Sequence, residues 1–396
     1  MTTTRRPELD VLRGLAVAGM ILVISPGDWD SAYSQLRHAA WHGWTLADMV
    51  FPTFLFSVGV GLGLSFPRPW DADTRRAFRR RVIRRALLLI GLGLALEATG
   101  LLVGYYAQGS AAPGLETLRL PGILQRIALC YALAAALLVA SGARTPDARL
   151  ELRPAAIAGF IVAILLFYWA LLSLVPVPGF GAGRLDPEGN LSAYLDRAIF
   201  TPAHLWPYGV ATPGGLAVYD PEGLLSTLPA AVNVLFGVLA AVAWRKREQR
   251  AWWIIGFAGL IGLAAGMALD PVFVVNKRIW TSSFAVLSGG ASAMLLAVLI
   301  LAWRSGFVSA ILTPARILGG NAIAAFVLST LLGRLYDLPM LHSEEARITP
   351  RQWLWETMQS VVNDPQFAAF LCAAMFLALV ALLLWPLHTR NVHLRL

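Results

Sequence analysis

His38 and Asp48 lie ten positions apart in the stretch His38-Ala-Ala-Trp41-His42-Gly43-Trp44-Thr45-Leu-Ala-Asp48, between two long apolar runs. An imidazole takes up and releases a proton near neutral pH, and a nearby carboxylate can orient it or hold an ammonium. Titratable side chains at the mouth of an apolar bundle are costly to keep there, which makes them functional candidates. Thr45-Leu-Ala-Asp48 ahead of an apolar run also fits a capping box with Asp in the Glu/Gln position, and taken alone that local role is favoured over catalysis. The two roles are compatible, because a carboxylate at a helix mouth can cap and orient an imidazole together. His38 and His42 have the four-residue spacing of helical metal pairs, but Gly43 follows and no third ligand stands near, so no metal is expected. A solvated loop histidine is the plain alternative for either. The carboxylate and the flanking Trp41 and Trp44 raise His38, although tryptophans also anchor membrane interfaces.

The elements that hold this stretch follow from hydropathy. Of 396 residues, 57% are hydrophobic and 14% charged, where a soluble protein carries about a quarter charged. The charges collect between apolar runs far longer than the ~10 residues of a membrane β-strand and without its polar alternation. The expected fold is all-α, a polytopic transmembrane helical bundle forming one domain over residues 1–396 with about ten spans, or eleven. Spans are expected near 9–25, 45–66, 82–104, 121–141, 154–176, 224–244, 251–269, 280–303, 316–333 and 366–386. Polar residues 1–8, and the Ser-Pro-Gly-Asp that follows the first run, argue against a cleavable signal peptide. Cys130 and Cys372 both fall in apolar runs, and no disulfide is expected.

Connections on the side of the N-terminus carry 21 Lys and Arg, eight of them the arginines of 68–85, against 9 in the longer opposite connections. The positive-inside rule then places both termini in the cytoplasm. His38, His42, His204, His342 and the longest loop, 177–223, fall on the far side. The net charge of +9 follows from this topology and needs no nucleic-acid partner. Within the long loop, Asp186-Pro-Glu-Gly-Asn-Leu-Ser is echoed by Asp220-Pro-Glu-Gly-Leu-Leu-Ser. Each copy looks like a helix start with Asp as cap and Pro at the first helical position, and the second is expected to open span six directly.

Other polar residues sit inside spans. Asp10 and Arg13 are three apart and can pair. Gln125-Arg126 in span four needs partners, with Glu97 a candidate, either as an ion pair holding the bundle or as the lining of a buried cofactor or substrate path. Asn276-Lys277 and Trp280-Thr-Ser-Ser283 place donors at the outer mouth of span eight. Gly319-Gly320-Asn321 at the start of span nine permits close helix packing. Topology and anionic lipid account for most of the arginines of 68–85. No Walker loop, Rossmann glycine pattern or nucleophile elbow is present, which leaves ATP-driven transport and a serine hydrolase poorly supported.

Leu9-Asp10-Val-Leu-Arg13-Gly14, Ser-Pro-Gly-Asp-Trp29 and the whole His38-to-Pro52 block resemble the heparan-α-glucosaminide N-acetyltransferase family. Within it they are most similar to the bacterial transmembrane glucosamine N-acetyltransferase branch. Shorter matches follow in order: Gly122-Ile-Leu-Gln125-Arg126, Pro187-Glu-Gly-Asn190-Leu, Asp220-to-Pro229, Asn276-Lys277 with Trp280-to-Ser283, and Asn321-Ala. The resemblance implies a multi-pass enzyme of the bacterial inner membrane. It would move acetyl from cytoplasmic acetyl-CoA to the amine of glucosamine or a terminal glucosaminide on the periplasmic side. It implies His38 and Asp48 as the catalytic pair, and His42 as a substrate contact because that position is Asn in some relatives. The family's Asn at the end of span one falls on Ile24, which cannot donate a hydrogen bond, and Ser25 follows it. Ser25, His42 and Asn276 are then the candidate donors to the substrate carbonyl, with Lys277 beside them. Gln125 and Arg126 would line the path of the pantetheine arm, and Arg84 or Arg85 would meet the CoA phosphates. Apolar span faces leave room for membrane lipid and for a homodimer. Two chemistries stay open, direct transfer with His38 as base and an acetyl-His38 intermediate. Two other functions also stay open. The Leu-Asp-x-Leu-Arg-Gly opening is shared with O-acyltransferases of cell-surface glycans. A proton-coupled sugar transporter would use His38 and Asp48 as a relay, although no inverted repeat is evident.

Overall fold

The computed structural model describes residues 6–67, 69–108, 114–145, 149–304, 311–342 and 347–394. Arg5, Arg68 and Arg395 of the charge count lie outside the described residues. The fold is all-α, as the sequence implies. The helices are α1 (Pro7–Ile24), α2 (Leu46–Ser65), α3 (Ala72–Gln108), α4 (Ile123–Ser141), α5 (Pro154–Leu174), α6 (Leu191–Phe200), α7 (Thr227–Lys246), α8 (Ala251–Leu269), α9 (Ser282–Arg304), α10 (Thr313–Gly320), α11 (Ala322–Tyr336), α12 (Pro350–Val361) and α13 (Pro365–Thr389). The strands among the described residues form two hairpins with two-residue arms, Ala143–Arg144 with Leu150–Glu151 and Leu341–His342 with Arg347–Ile348.

Each expected span coincides with a helix, but fewer than ten pass as uninterrupted apolar crossings. Eight helices among the described residues are long and apolar enough, nine if the bent pair α10–α11 counts as one. The first span, α1, carries Glu8, Asp10 and Arg13 in its first half, with Arg13 and Asp10 3.9 Å apart. The ninth is broken at Asn321, where α10 and α11 meet at 90°. The break has a packing cause. A Cβ on Gly319 would sit 1.7 Å from the Asp10 carbonyl oxygen, and one on Gly14 1.7 Å from that of Ala315, so α10 lies backbone-to-backbone on α1. Asn321 then bridges to the chain's last described turn, accepting from Leu394 N at 2.8 Å and donating to the Val392 carbonyl at 3.0 Å.

Connections alternate between two ends. At the N-terminal end Arg6 pairs with Glu248, Arg304 donates to the Gln249 carbonyl, and Pro69 bridges Arg149. At the other end the segment after α1 meets those after α3, α5, α8 and α11. α2, α7 and α9 are enclosed at the centre, while α3, α5 and α8 lie outside. Exposed Leu166, Phe167, Phe257 and Ile261 give the outer helices an apolar face suited to lipid. The α2–α7 contact is again glycine-mediated, with a Cβ at Gly59 falling 1.9 Å from the Val234 carbonyl oxygen. That close pair gives the His38 end a stiff base.

The echoed Asp-Pro-Glu-Gly segments are turns, not helix starts. Asp186 accepts from Gly189 N at 2.9 Å, and Asn190 is the cap of α6, accepting from Ala193 N at 2.8 Å. In the second copy Asp220 accepts from Glu222 N at 2.9 Å, and α7 begins only at Thr227. A short Asp side chain captures the N–H two or three residues on, which closes a turn before a helix can begin.

Candidate active site

Asp48 sits in the first turn of α2, 1% exposed, and does both things the sequence allows. Its Oδ2 accepts from Thr45 N at 3.0 Å and from Ala39 N at 3.1 Å, which completes the capping box on α2. Its Oδ1 lies 2.8 Å from His38 Nδ1. With Oδ2 committed to two backbone donors, Oδ1 accepts from the ring, so neutral His38 carries its proton on Nδ1 and leaves the Nε2 lone pair free. Burial, followed by the Lys277 charge, lowers the His38 pKa below the ordinary 6.5, although the Asp48 hydrogen bond opposes them. The imidazole is held as a neutral base.

The loop after α8 brings Lys277 to the same place. Gly43, at φ +89°, donates to the Val275 carbonyl at 2.8 Å and ties the His38 loop to residues 270–281. Asn276 folds the turn, accepting from Ile279 N at 3.1 Å. Trp280 holds the left-handed φ of 51° and is fixed by Asn233 Oδ1 at 3.0 Å. Lys277 Nζ lies 3.0 Å from His38 Nδ1, 3.2 Å from Nε2 and 3.6 Å from Asp48 Oδ1. An ammonium in line with one ring lone pair cannot be almost equally near the other nitrogen. Nζ therefore rests over the ring face, and the His38 side chain lines the cavity. Burial brings the Lys277 pKa down to about 8, with Asp48 opposing and Arg278 adding to the shift.

His38, Lys277 and Ile24 line one cavity of about 550 Å³. Its apolar wall is Met20, Val23, Val50, Phe51 and Ile123. Its polar wall adds Arg37, Arg119, Trp206, Glu222 and Arg278. Arg119 binds Asp220 through Nε at 2.9 Å and Nη2 at 2.7 Å, and Glu222 at 2.6 Å. Glu97 lies 3.6 Å from its Nη1. Burial disfavours the Arg119 charge, but Asp220, Glu222 and Glu97 more than offset it and its pKa is raised. For Glu222 likewise, Arg119, Arg126 and Lys277 outweigh burial and lower the pKa. Glu97 thus partners Arg119 and not Arg126, against the sequence-based expectation. The Arg119 guanidinium reaches across three carboxylates gathered from α3 and the turn before α7.

The other expected site residues are dispersed. His42 Nδ1 lies 3.4 Å from Asn276 Nδ2, and Asn276 is fully buried, so this pair supports the turn that carries Lys277. Ser25 is buried at the end of α1 and is not part of the cavity lining, whereas Ile24 beside it is. Gln125 donates to the Leu120 carbonyl at 3.2 Å. Arg126 donates to the Gly223 carbonyl at 3.0 Å and to Ser226, and lies over the Trp280 ring at 5.2 Å. It braces the cavity wall from behind, and its Nε and Nη1 have no hydrogen-bond partner among the described residues. Arg84 and Arg85 are on α3 at the N-terminal end, in a separate arginine-lined groove of about 560 Å³. Arg85 stacks over Tyr131 at 4.7 Å. Among the described residues, no three His, Cys, Asp or Glu side chains gather as metal ligands.

Arg119, Asp220, Glu222, Trp206 and Arg278 are cavity or wall residues that the sequence reading passed over. Asp220 and Glu222 were visible only as part of an echoed helix-start pattern and of a short family match. Arg119 and Arg278 were visible only as minority cations of the far side. An outer cation kept against the charge bias is the signal that could have found them.

The profile described as heparan-alpha-glucosaminide N-acetyltransferase, catalytic, matches residues 5–173, which contain His38 and Asp48 but not Lys277. The human heparan-alpha-glucosaminide N-acetyltransferase is 27% identical over 332 residues, 74% of this chain and 48% of the relative. The mouse protein of the same name is 26% identical over 311 residues, 70% of this chain and 46% of the relative. The chain spans about half the length of these curated relatives. The segment that carries the His38–Asp48 pair thus resembles the catalytic part of heparan-α-glucosaminide N-acetyltransferases, and weaker similarity to the two relatives continues over most of the chain.

Proposed function

We propose that this chain is a membrane acetyltransferase of the bacterial inner membrane. It takes acetyl from cytoplasmic acetyl-CoA and passes it to the amine of glucosamine or a terminal glucosaminide at the His38 cavity, on the periplasmic side. The observation that carries the reading is the His38 imidazole. It is fixed through Nδ1 by Asp48 and kept neutral, in the lining of a cavity whose wall also holds the Lys277 and Arg278 cations. The similarity to heparan-α-glucosaminide N-acetyltransferases supports the reaction class, and the excess of arginine at the N-terminal end supports the orientation.

An acceptor ammonium must lose a proton before it can attack. Nε2 of His38 takes that proton while Asp48 stabilises the resulting imidazolium. The amine nitrogen bonds to the thioester carbonyl carbon, and the oxyanion that forms is met by Lys277, with Arg278 as a second cation. The C–S bond then breaks, the CoA sulfur leaves with the proton that His38 returns, and the extra proton left on the new amide nitrogen passes to solvent. His42 and Asn276 serve this site by holding the turn that carries Lys277, while Ser25 is buried outside the cavity lining. In this reading Arg84 and Arg85 meet the CoA phosphates from the cytoplasmic end, and Gln125 with Arg126 backs the path of the pantetheine arm.

The test is acetyl transfer from labelled acetyl-CoA to glucosamine by purified protein in detergent, with His38→Ala alongside. N-acetylglucosamine from the wild type and none from the folded variant is the expected result. Wild-type protein that neither binds acetyl-CoA nor consumes it refutes the proposal.

A further inference from the structure

We propose that Lys277 is an internal acetyl acceptor: when no amino sugar is present, its side-chain amine takes the acetyl group from acetyl-CoA and the enzyme marks itself at its own active site. The inference rests on the donor assigned above and concerns a reaction that donor makes available. In the structure the Lys277 ammonium stands beside the same base and carboxylate that an acceptor ammonium has to meet. It is 3.0 and 3.2 Å from the two nitrogens of His38 and 3.6 Å from the Asp48 carboxylate, and it lines the same cavity. Any amine placed there meets a base, a carboxylate and the incoming thioester together. A turn of the Lys277 side-chain torsions moves Nζ from the ring face into line with Nε2.

The step balances without a further reactant. Nε2 of His38 takes one proton from the Lys277 ammonium, the freed lone pair bonds to the thioester carbonyl carbon, and the C–S bond breaks. The sulfur leaves with the proton held by His38 and the second proton on the nitrogen passes to solvent, giving N-acetyl-Lys277, the free CoA thiol and one released proton. Acetylation removes the positive charge that faces the oxyanion, so the modified enzyme loses activity. An amino sugar protects Lys277 by meeting Nε2 and the thioester first, which leaves Lys277 over the ring face as the oxyanion's cation and makes the modification a brake engaged by donor in the absence of acceptor.

The chain offers an internal control, because Lys246 and Lys277 are its only lysines. Lys246 is exposed at the far end of α7, where unaided chemical acetylation reaches it more easily. Purified full-length protein in detergent is incubated with acetyl-CoA bearing a deuterated acetyl group, without acceptor, and both lysine peptides are quantified by mass spectrometry. Lys277 is expected to acquire label at least about tenfold faster than Lys246 through its placement. The label should resist hydroxylamine, as an amide does and an acetyl-imidazole does not. Glucosamine should suppress it, and His38→Gln should reduce it to the Lys246 background. Label at Lys277 no faster than at Lys246, label unchanged in His38→Gln, or label found only in hydroxylamine-sensitive form each overturns the inference. Acetylated glucosamine with an unlabelled Lys277 overturns the inference alone. Failure of both acceptors to take label removes the acetyltransferase reading with it.

Discussion

Asp48→Asn should separate stability from activity in this site. The carboxylate has two committed faces: Oδ1 toward His38 Nδ1 at 2.8 Å, and Oδ2 toward the Thr45 and Ala39 N–H groups at 3.0 and 3.1 Å. An amide cannot replace both. If its oxygen keeps His38, its NH2 faces two backbone donors and each is left unpaired in a buried place, at about 1–3 kcal/mol apiece. If it flips, its oxygen keeps both backbone donors and its NH2 donates to His38 Nδ1. The flipped state costs only the exchange of charged for neutral hydrogen bonds, about 1–2 kcal/mol, so it is the one populated. In that state Nδ1 is an acceptor and the ring proton moves to Nε2, where the base is required. The variant is therefore expected to fold and melt close to wild type in detergent while kcat for acetyl transfer falls by about 10²–10⁴. Asp48→Ala loses both faces and should lose stability as well, by about 2–6 kcal/mol for the two orphaned donors. A folded Asp48→Asn enzyme within about threefold of wild-type kcat would refute the assignment of Nε2 as the base, given that proton transfer carries at least about 10² of the rate.

The acid limb of kcat/KM should lie below pH 6.5, because the base must be neutral and the His38 pKa is lowered from that value. Lys277→Met removes a cation that disfavours the imidazolium, while Asp48 and Arg278 remain. The limb should then move to higher pH, and an unmoved limb would mean that Lys277 does not act on the ring. Ile24→Asn places an amide donor in the cavity lining at a position already 36% exposed. Stability should be unchanged and kcat/KM raised up to about tenfold, a fraction of what an oxyanion donor supplies, and a fall would mark Ile24 as an apolar wall. Arg119→Ala leaves Asp220 and Glu222 without their buried counter-charge and should lower stability by about 3–5 kcal/mol, read by thermal unfolding in detergent. A change under about 1 kcal/mol would mean that water replaces the guanidinium.

Ten apolar runs were legible because hydrocarbon solvation leaves long uncharged segments few other states. Asp48 was legible in both roles because a capping box is a local pattern and His38 lies within the same loop. The break at Asn321 was not. Gly319-Gly320 marked close packing, but that the partner is the backbone of α1, and that the approach turns the chain by 90°, depends on residues about three hundred positions away. The Asp-Pro-Glu-Gly echo misled for a related reason. Asp followed by Pro satisfies the rules for a helix cap and for a turn alike, and here the Asp220 carboxylate is drawn to Arg119, 101 positions earlier, and to Trp206 N at 2.8 Å. Lys277 was picked out by its motif, but its position over the His38 ring comes from the Gly43–Val275 tie.

The charged groups around the cavity divide into two sets, and the division is what makes one of them reactive. Arg119, Asp220 and Glu222 neutralise one another, with Glu97 close by, in a wall with little freedom to reorganise. A buried cluster of this kind contributes rigidity more than stability, since its charges had to leave water before they could pair. Lys277 and Arg278 are less well matched. Asp48 is the carboxylate closest to Lys277, yet it is already held by two backbone N–H groups and the imidazole, and Arg278 leaves its Nε without a hydrogen-bond partner among the described residues. A fixed positive field is thus left over the cavity and around His38. That field opposes an imidazolium, which keeps the base ready, and favours an oxyanion, which lowers the barrier to acyl transfer. It also repels an arriving ammonium, so the acceptor that reacts is the one able to hand its proton to Nε2 as it binds. Ile24, opposite this wall, adds no hydrogen-bond donor, which places the burden of oxyanion binding on the two cations.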